Sequence, residues 1–420
     1  MTPRCALPAA AGASAADSAW LRPRGSNQSG MSQFNERVLL QAIRLNGGMP
    51  QADLARLTRL STQTVALIVR RLLDQGLVVK SAPQRGRVGQ PSVPIMLNPD
   101  GAYFIGIKIG RRSIDLLLVD FAGRVRARSS FAYRYPDPDL LFGQIDAQLQ
   151  ALRRQLGPRQ AARLSGIGVA APLGLGGWQT LLGDDAQQAA RWDRIDLRAE
   201  VQAFSDVPVV FAKDTMAACV AELVAGHGRS LRSFLYIFVG TFIGGALVLD
   251  SSVHAGLKGN AGALGSLPLA LAHDDDRAAP GQLLSAASLF TLEQLYTGAG
   301  LDDSAAYDAR ALQAPWLAHT EAWLDDAARA IALAVCNANC VLDLDQVVLD
   351  SSGHPALLAR LLERSTRALS HYSWEGVRCP ALLGGVVGAD ARAIGAALLP
   401  LHANFAPDRE LFLKILNAAG

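Results

Sequence analysis

The chain has 420 residues, half of them apolar and 18% charged, with a formal charge of +3, an ordinary composition for a soluble globular protein of two or three domains. Its five cysteines, Cys5, Cys219, Cys336, Cys340 and Cys379, form no CxxC pair, and this odd, scattered count fits a reducing cytoplasm better than a disulfide framework. No run of about 18 apolar residues offers a membrane span.

Residues 1–30 are rich in Ala, Gly, Ser and Pro without any structural period, and a disordered arm is expected. Gly12, Ser14, Asp17 and Ser18 interrupt the apolar stretch that a signal peptide needs. From Phe34 to Asn46, the residues Phe34, Val38, Leu39, Ala42 and Ile43 recur at helical spacing, and Gly47-Gly48 ends the helix. A short helix over 51–58 is expected to turn Leu54, Ala55 and Leu57 inward. After a tight connection, Ser61 or Thr62 caps a third helix. Val65, Ile68, Val69 and Leu72 form its apolar stripe, and Thr62, Gln63, Thr64, Ala66, Arg70 and Arg71 its other face. Two short helices joined by a three- or four-residue turn, the second opening on Thr and Gln, describe a helix-turn-helix. Short polar side chains there let the helix enter a major groove, where Gln pairs with adenine and Thr reaches a base edge or a thymine methyl.

After Gly76, LVVKSA reads as a strand, and QRGRVGQPSVPIML turns and returns. This is a wing, whose Arg85 and Arg87 suit backbone phosphate or a minor groove. The candidate DNA contacts are Ser61, Thr62, Gln63, Thr64, Arg70, Arg85, Arg87 and Gln90. Charge agrees: residues 34–95 hold nine Arg and Lys against three acids, a net +6, and residues 1–33 add +2, which leaves −5 for residues 96–420. A basic head on a mildly acidic body implies that the head meets a polyanion.

Further along, YFIGIKIGRRSIDLLLVDFAGRV (103–125) and FLYIFVGTFIGGALVLDSSVHAG (234–256) share one plan. Each is an apolar strand, a glycine turn, and a second apolar strand ending in Asp120 or Asp250. Short apolar strands then alternate with helices: SGIGVAAP (165–172) and PVVFAKD (208–214) in the first half, DQVVLDSSG (345–353) and CPALLGG (379–385) in the second. A repeated hairpin followed by α/β units implies two similar lobes around a cleft. Cys336 and Cys340, one turn apart on an apolar helix, read as buried core thiols.

Taken in order, these pieces resemble the ROK (repressor, open reading frame, kinase) family in its transcriptional-regulator form, over essentially residues 31–420. ADLARLTRLSTQTV (52–65) resembles the family's winged helix-turn-helix. GIKIGRRS (106–113) stands at the first phosphate-loop position, followed by GIGVAAPLG (166–174), FAKDTMAACVAE (211–222), VGTFIGGALV (239–248) and GNAGALGSLPL (259–269). The resemblance implies a sugar-kinase-like, actin-type body, and the departures from it decide the function. The family's kinases have an Asp at Lys108, small residues at Arg111 and Arg112, and Asn-Asp at Lys213-Asp214, where the Asp takes the proton from the sugar hydroxyl. The family's sugar-gripping Glu and zinc-binding His correspond to Ala263 and Ser266, and residues 269–288 contain no cysteine for its zinc loop. His273 with Asp274, Asp275 and Asp276 reads as a solvated acidic loop.

The expected architecture is therefore α/β. A disordered arm (1–30) precedes a mostly α winged helix-turn-helix (31–97). A duplicated actin-like, ribonuclease-H-like two-lobed body (98–420) follows, with lobes over 98–230 and 231–420 and a C-terminal helix able to return to the first lobe. The expected function is a cytoplasmic regulator, by default a repressor, of carbohydrate-metabolism genes. It would bind palindromic operator DNA as a homodimer or homotetramer and sense a carbohydrate-like effector without metal, zinc or ATP; the alternative is an ATP-dependent sugar kinase with an added head. Lys108, Arg111, Arg112, Lys213, Asp214, Thr241 and Asn260 are the candidate ligand contacts, with Asp214 in the retained position of a kinase base. The cations fit an anionic effector or, equally, structural ion pairs with the body's carboxylates.

Overall fold

A computed structural model describes residues 28–83, 92–133, 135–175, 190–192, 194–271 and 280–406. Most of the expected arm, the wing tip with Arg85, Arg87 and Gln90, and the acidic loop at His273–Asp276 lie outside the described residues.

The head begins with helix α1 (Gln28–Asn46), so its first turn starts inside the segment expected to be a disordered arm. Helix α2 (Gln51–Thr58) ends at Arg59, whose φ of 56° is left-handed, and α3 (Thr62–Asp74) follows within three residues. Ser61 is the N-cap: its Oγ accepts the Thr64 backbone N–H at 3.1 Å. Val65, Ile68, Val69 and Leu72 are buried as the stripe requires, but Leu57 is 38% exposed and does not turn inward. Strands β1 (Val78–Lys80) and β2 (Ile95–Leu97) pair antiparallel and form the base of the wing.

The body repeats one topology. In the first lobe β3 (Tyr103–Ile109), β4 (Ser113–Asp120) and β5 (Val125–Ala132) form an antiparallel meander. Strands β6 (Leu164–Ala171) and β7 (Val209–Lys213) extend it in parallel, giving the order β5-β4-β3-β6-β7. In the second lobe β8 (Phe234–Val239), β9 (Ile243–Leu249) and β10 (Ser252–His254) are the meander, and β11 (Gln346–Ser351) and β12 (Ala381–Gly384) the parallel pair, giving β10-β9-β8-β11-β12. Helices cover both sheets: α4 (Pro138–Gln155), α5 (Pro158–Ala161), α6 (Leu197–Ala203) and α7 (Asp214–Ala225) in the first half, then α8 (Leu283–Ala287), α9 (Leu289–Gly298), α10 (Leu317–Leu342) and α11 (Pro355–Leu369). These are the two similar lobes expected from the duplication, in the actin-type arrangement that the family resemblance implies.

The last described helix, α12 (Ala391–Phe405), packs on β3, β6 and α7. It lies almost backbone to backbone on the sheet, and this needs glycine. A Cβ at Gly106 would stand 2.1 Å from the Ala393 carbonyl oxygen, and one at Gly168 would stand 1.7 Å from that of Ala396.

Helix α1 is buried on two sides because it packs on the body as well as on α2 and α3. Leu39, Leu40, Ala42 and Ile43 belong to one apolar cluster with Phe104, Leu117, Phe121, Leu398 and Leu401. Arg44 Nη1 donates to the Phe121 carbonyl at 2.7 Å, and its guanidinium lies 5.0 Å from the centre of the Phe121 ring. Phe405, at the end of α12, meets the same ring edge-on at 4.8 Å. Head and first lobe thus share a core, with α12 reaching into it.

Cys219 is a buried core thiol, whereas Cys336 is only partly covered and Cys340 is exposed. The apolar run of α10 continues past the edge of the lobe, where Val341 is 82% exposed.

Candidate functional site

A cavity of about 230 Å³ opens between the lobes. Its floor is the β7–α7 junction, with Lys213, Asp214 and Thr215. One wall is the turn at Gly110 and Arg111 with Pro172–Gly174; the other is the β8–β9 turn from Thr241 to Gly244 with Asn260, Ala263 and Ser266. A strand end meeting a helix start lies at the heart of it, so the fold presents Asp214 as the first residue of α7. A larger recess of about 560 Å³, near Phe142 and Arg191 on the first lobe, sits apart from these groups. There Arg191 already pairs with Asp137 and Asp139.

The sequence placed Lys108, Arg111, Arg112 and Lys213 together at the opening. The structure brings Arg111 and Lys213 to it and turns the other two away. Lys108 stands opposite Asp115 in the β3–β4 register. Its Nζ donates to Asp115 Oδ2 at 2.9 Å, to Ser113 Oγ at 2.7 Å and to the Ser113 carbonyl at 3.3 Å. The side chain folds back over the turn, through space that only a glycine leaves open: a Cβ on Gly110 would be 2.7 Å from that Nζ. The Gly110 turn therefore accommodates the lysine. Burial, then the Arg392 charge, pull the Lys108 pKa down to about 8 against the attraction of Asp115. Asp115 is held below the usual carboxylate range: burial opposes this, but Lys108 and the hydroxyls of Ser130 and Ser113 outweigh it.

Arg112 pairs across the lobes with Glu293 on α9 at 3.0 Å, and the other carboxylate oxygen of Glu293 accepts from Tyr307 at 2.6 Å. Arg111 lines the cavity with its guanidinium committed to the carbonyls of Leu175 and Gly174 at 2.9 and 3.0 Å, 4.7 Å from the centre of the Phe242 ring. Lys213 Nζ reaches the Gly245 carbonyl at 3.3 Å, and burial lowers its pKa. Thr241 bonds Tyr307 at 3.0 Å, and Asn260 sits exposed at the rim.

Sequence reasoning missed Arg392. It lies in the first turn of α12, lines the cavity, and approaches Asp214 at 3.8 Å, beyond hydrogen-bond range. Its guanidinium stacks 4.7 Å from the centre of the Phe238 ring, and its buried Nε has no hydrogen-bond partner among the described residues. The available signal was a single cation in the apolar run ARAIGAALLPL (391–401). Among the described residues no three His, Cys, Asp or Glu side chains converge as a metal site, and no helix is long and apolar enough to cross a membrane.

On the head, Thr62, Gln63 and Arg70 are exposed along one face of α3, with Ala66 and Leu67 between them. Ser61 and Thr64 are tied into the cap, their hydroxyls 2.8 Å apart. Arg71 turns back to Glu36 on α1 at 3.4 Å.

The ROK family profile matches residues 104–402, and a winged helix-turn-helix DNA-binding profile matches residues 35–79. The chain belongs to the ROK family. The xylose repressor of Bacillus subtilis is 23% identical to this ROK chain over 248 residues, covering 58% of this chain and 62% of that protein. The DNA-binding transcriptional repressor Mlc of Escherichia coli is 25% identical over 235 residues, 54% and 56% of the two chains. This ROK chain thus spans about three fifths of the length of the curated relatives it matches. A crystal structure of a ROK family transcriptional regulator, a homologue of E. coli Mlc, superposes with a TM-score of 0.65 at 19% identity over 90% of this chain and 98% of that one. A ROK glucokinase from Streptomyces griseus, solved with glucose and AMPPNP, superposes with a TM-score of 0.56 at 18% identity over 71% and 99%. At these identities the likeness establishes the two-lobed sugar-kinase-like fold.

Proposed function

We propose that this ROK chain is a DNA-binding transcriptional repressor of carbohydrate-metabolism genes. Its kinase-like body senses a sugar or sugar-derived ligand in the interlobe cavity and uses no zinc or ATP. The carrying observation is the single apolar core shared by α1 of the head and the first lobe, which buries Arg44 against Phe121. A head fastened in this way follows the lobe that carries it. Helix α12 supports the same reading, with Arg392 on the cavity wall and Phe405 against Phe121. A ligand that changes lobe closure alters the spacing of paired heads on a palindromic operator, with a coupling of about 1–3 kcal/mol. The active species is a cytoplasmic homodimer or homotetramer.

Selection of bound duplexes from a random pool tests this, followed by a gel shift of the enriched sequence with a carbohydrate panel. Enrichment of an inverted repeat and its release by a carbohydrate are expected. Gln63→Ala shifts the base preference, whereas Arg70→Ala, and Arg85→Ala or Arg87→Ala in the wing, weaken all sequences alike. Binding to duplex DNA no better than that of an acidic control protein, or binding that ignores salt concentration, refutes it.

A second reading, a sugar kinase with an added head, draws on Asp214 at the cavity floor. Against it, Arg392 stands beside Asp214, and the Lys108–Asp115 pair occupies the place where the family's kinases keep a metal-holding acid. Release of ADP with any hexose in a coupled assay would favour it.

A further inference from the structure

We propose that the interlobe cavity selects an anionic polyol, a sugar acid or a sugar phosphate, with Arg392 and Lys213 holding its charged group and Thr241, Asn260 and Ser266 its hydroxyls. This rests on the effector reading above and narrows it to a ligand class.

Among the described residues, the charged side chains on the cavity wall are Arg111, Lys213 and Arg392 against the one acid Asp214. The two neighbouring cations do not add to this excess, because Lys108 is neutralised by Asp115 and Arg112 is matched by Glu293. The Arg392 guanidinium carbon lies over the Phe238 ring, 4.7 Å from its centre. It meets Asp214 only at 3.8 Å and keeps a buried Nε without a partner among the described residues. A largely buried guanidinium with an unmet Nε donor is a costly arrangement for a folded protein. A carboxylate or phosphate arriving in the cavity would complete it with the short, charge-assisted bonds for which a guanidinium fork is built. Lys213 adds a second cation one residue from Asp214, engaged by one 3.3 Å bond to the Gly245 carbonyl. Its ammonium has three donors, so it can take a ligand oxygen without surrendering that bond. The opposite wall offers neutral donors and acceptors on Thr241, Asn260 and Ser266, suited to hydroxyls. A volume of about 230 Å³ limits the ligand to monosaccharide size, since pockets for drug-sized molecules begin near 300 Å³.

The test is calorimetry and thermal shift on the full chain with D-glucose, D-gluconate, D-glucuronate, glucose 6-phosphate and ribose 5-phosphate, with inorganic phosphate as the bare anion. At least one anionic sugar is expected to bind about tenfold or more tightly than its neutral parent. The acid and phosphate arms identify the charged group. Arg392→Gln is expected to weaken that ligand about tenfold to a hundredfold, the value of one charge-assisted hydrogen bond, while leaving the neutral parent unchanged. Arg392→Lys restores part of the loss, and the melting temperatures of both unliganded variants report whether they fold. Equal or tighter binding of the neutral parent overturns the proposal while the effector reading stands, and so does an Arg392→Gln loss that falls equally on both. If no sugar of either kind binds the chain or releases it from DNA, the effector reading fails, and this proposal fails with it.

Discussion

Replacing Lys108 by Met tests whether the cation in the first glycine turn is a structural partner of Asp115. Its ammonium is buried, and its pKa of about 8 lies below the ordinary 10.5, chiefly through burial and then through the Arg392 charge. At 1.36 kcal/mol per pKa unit, the protonated form costs the folded state about 3 kcal/mol. Below pH 8 both folded and unfolded chains hold the proton, and the full cost is present. Between pH 8 and 10.5 the unfolded chain still holds it while the folded chain has released it, so the unfolded state binds more protons and stability rises with pH. Above 10.5 the cost is gone. Urea unfolding of the wild type and Lys108→Met, followed by tryptophan fluorescence from pH 7.5 to 10.5, isolates this contribution as a difference. Wild type is expected to gain about 3 kcal/mol relative to the variant across that window. Arg392→Gln should raise the Lys108 pKa and shrink the gain. Parallel pH profiles for wild type and Lys108→Met refute the buried pair, and Lys108 would then be a solvated cation available to ligands.

Three further outcomes follow from the shared core. Arg44→Ala strands the Phe121 carbonyl and removes the guanidinium from its ring; it should lower the unfolding free energy by about 3 kcal/mol in calorimetry or urea titration, and weaken release of DNA by the effector. His402 on α12 is buried, and burial, helped by the Arg44 charge, pulls its pKa down from 6.5 to about 3. Below pH 6.5 the unfolded state binds the extra proton, so stability should fall by about 1.4 kcal/mol per pH unit down to about pH 3, and His402→Gln should flatten that slope. Gly168→Ala drives a methyl into the Ala396 carbonyl and should cost about 3 kcal/mol or block folding, whereas Gly143→Ala on α4 meets nothing within 4 Å and should be neutral or stabilising in the same melt.

Local patterns carried most of the fold. The α3 stripe and the Ser61 cap are contained within fourteen residues, Ser61 to Asp74, so helical spacing was enough to find them. The duplicated hairpins were legible because the apolar–glycine–apolar–Asp order repeats in both lobes. The misjudged positions are those whose environment comes from distant segments. Leu57 follows the apolar period of α2 but stays 38% exposed. Leu40 breaks the simple period of α1, and it is buried because the body covers a second side of that helix.

The candidate site divides the same way. Lys213 ends β7 and Asp214 starts α7, so any reading that found the strand placed them together. Lys108 lies on β3 and Arg111 in the turn three residues on, yet one is neutralised by Asp115 across the strand pair and the other lines the cavity. Alternation along β3 gives the face on which Lys108 lies, but the presence of Asp115 on the facing strand decides whether it remains a binding group. Arg392 was invisible for a stronger reason. Its meaning depends on α12 crossing back from the end of the second lobe onto β3, β6 and α7, and glycines at 106 and 168 let the helix come close enough to set Arg392 beside Asp214. A sequence can show that those positions are small, but it does not show which helix uses the space. A lone arginine in an apolar helix is therefore best read together with the glycines that could receive that helix: buried, it must find an acid or an anion, and here Asp214 stands close by but beyond hydrogen-bond range.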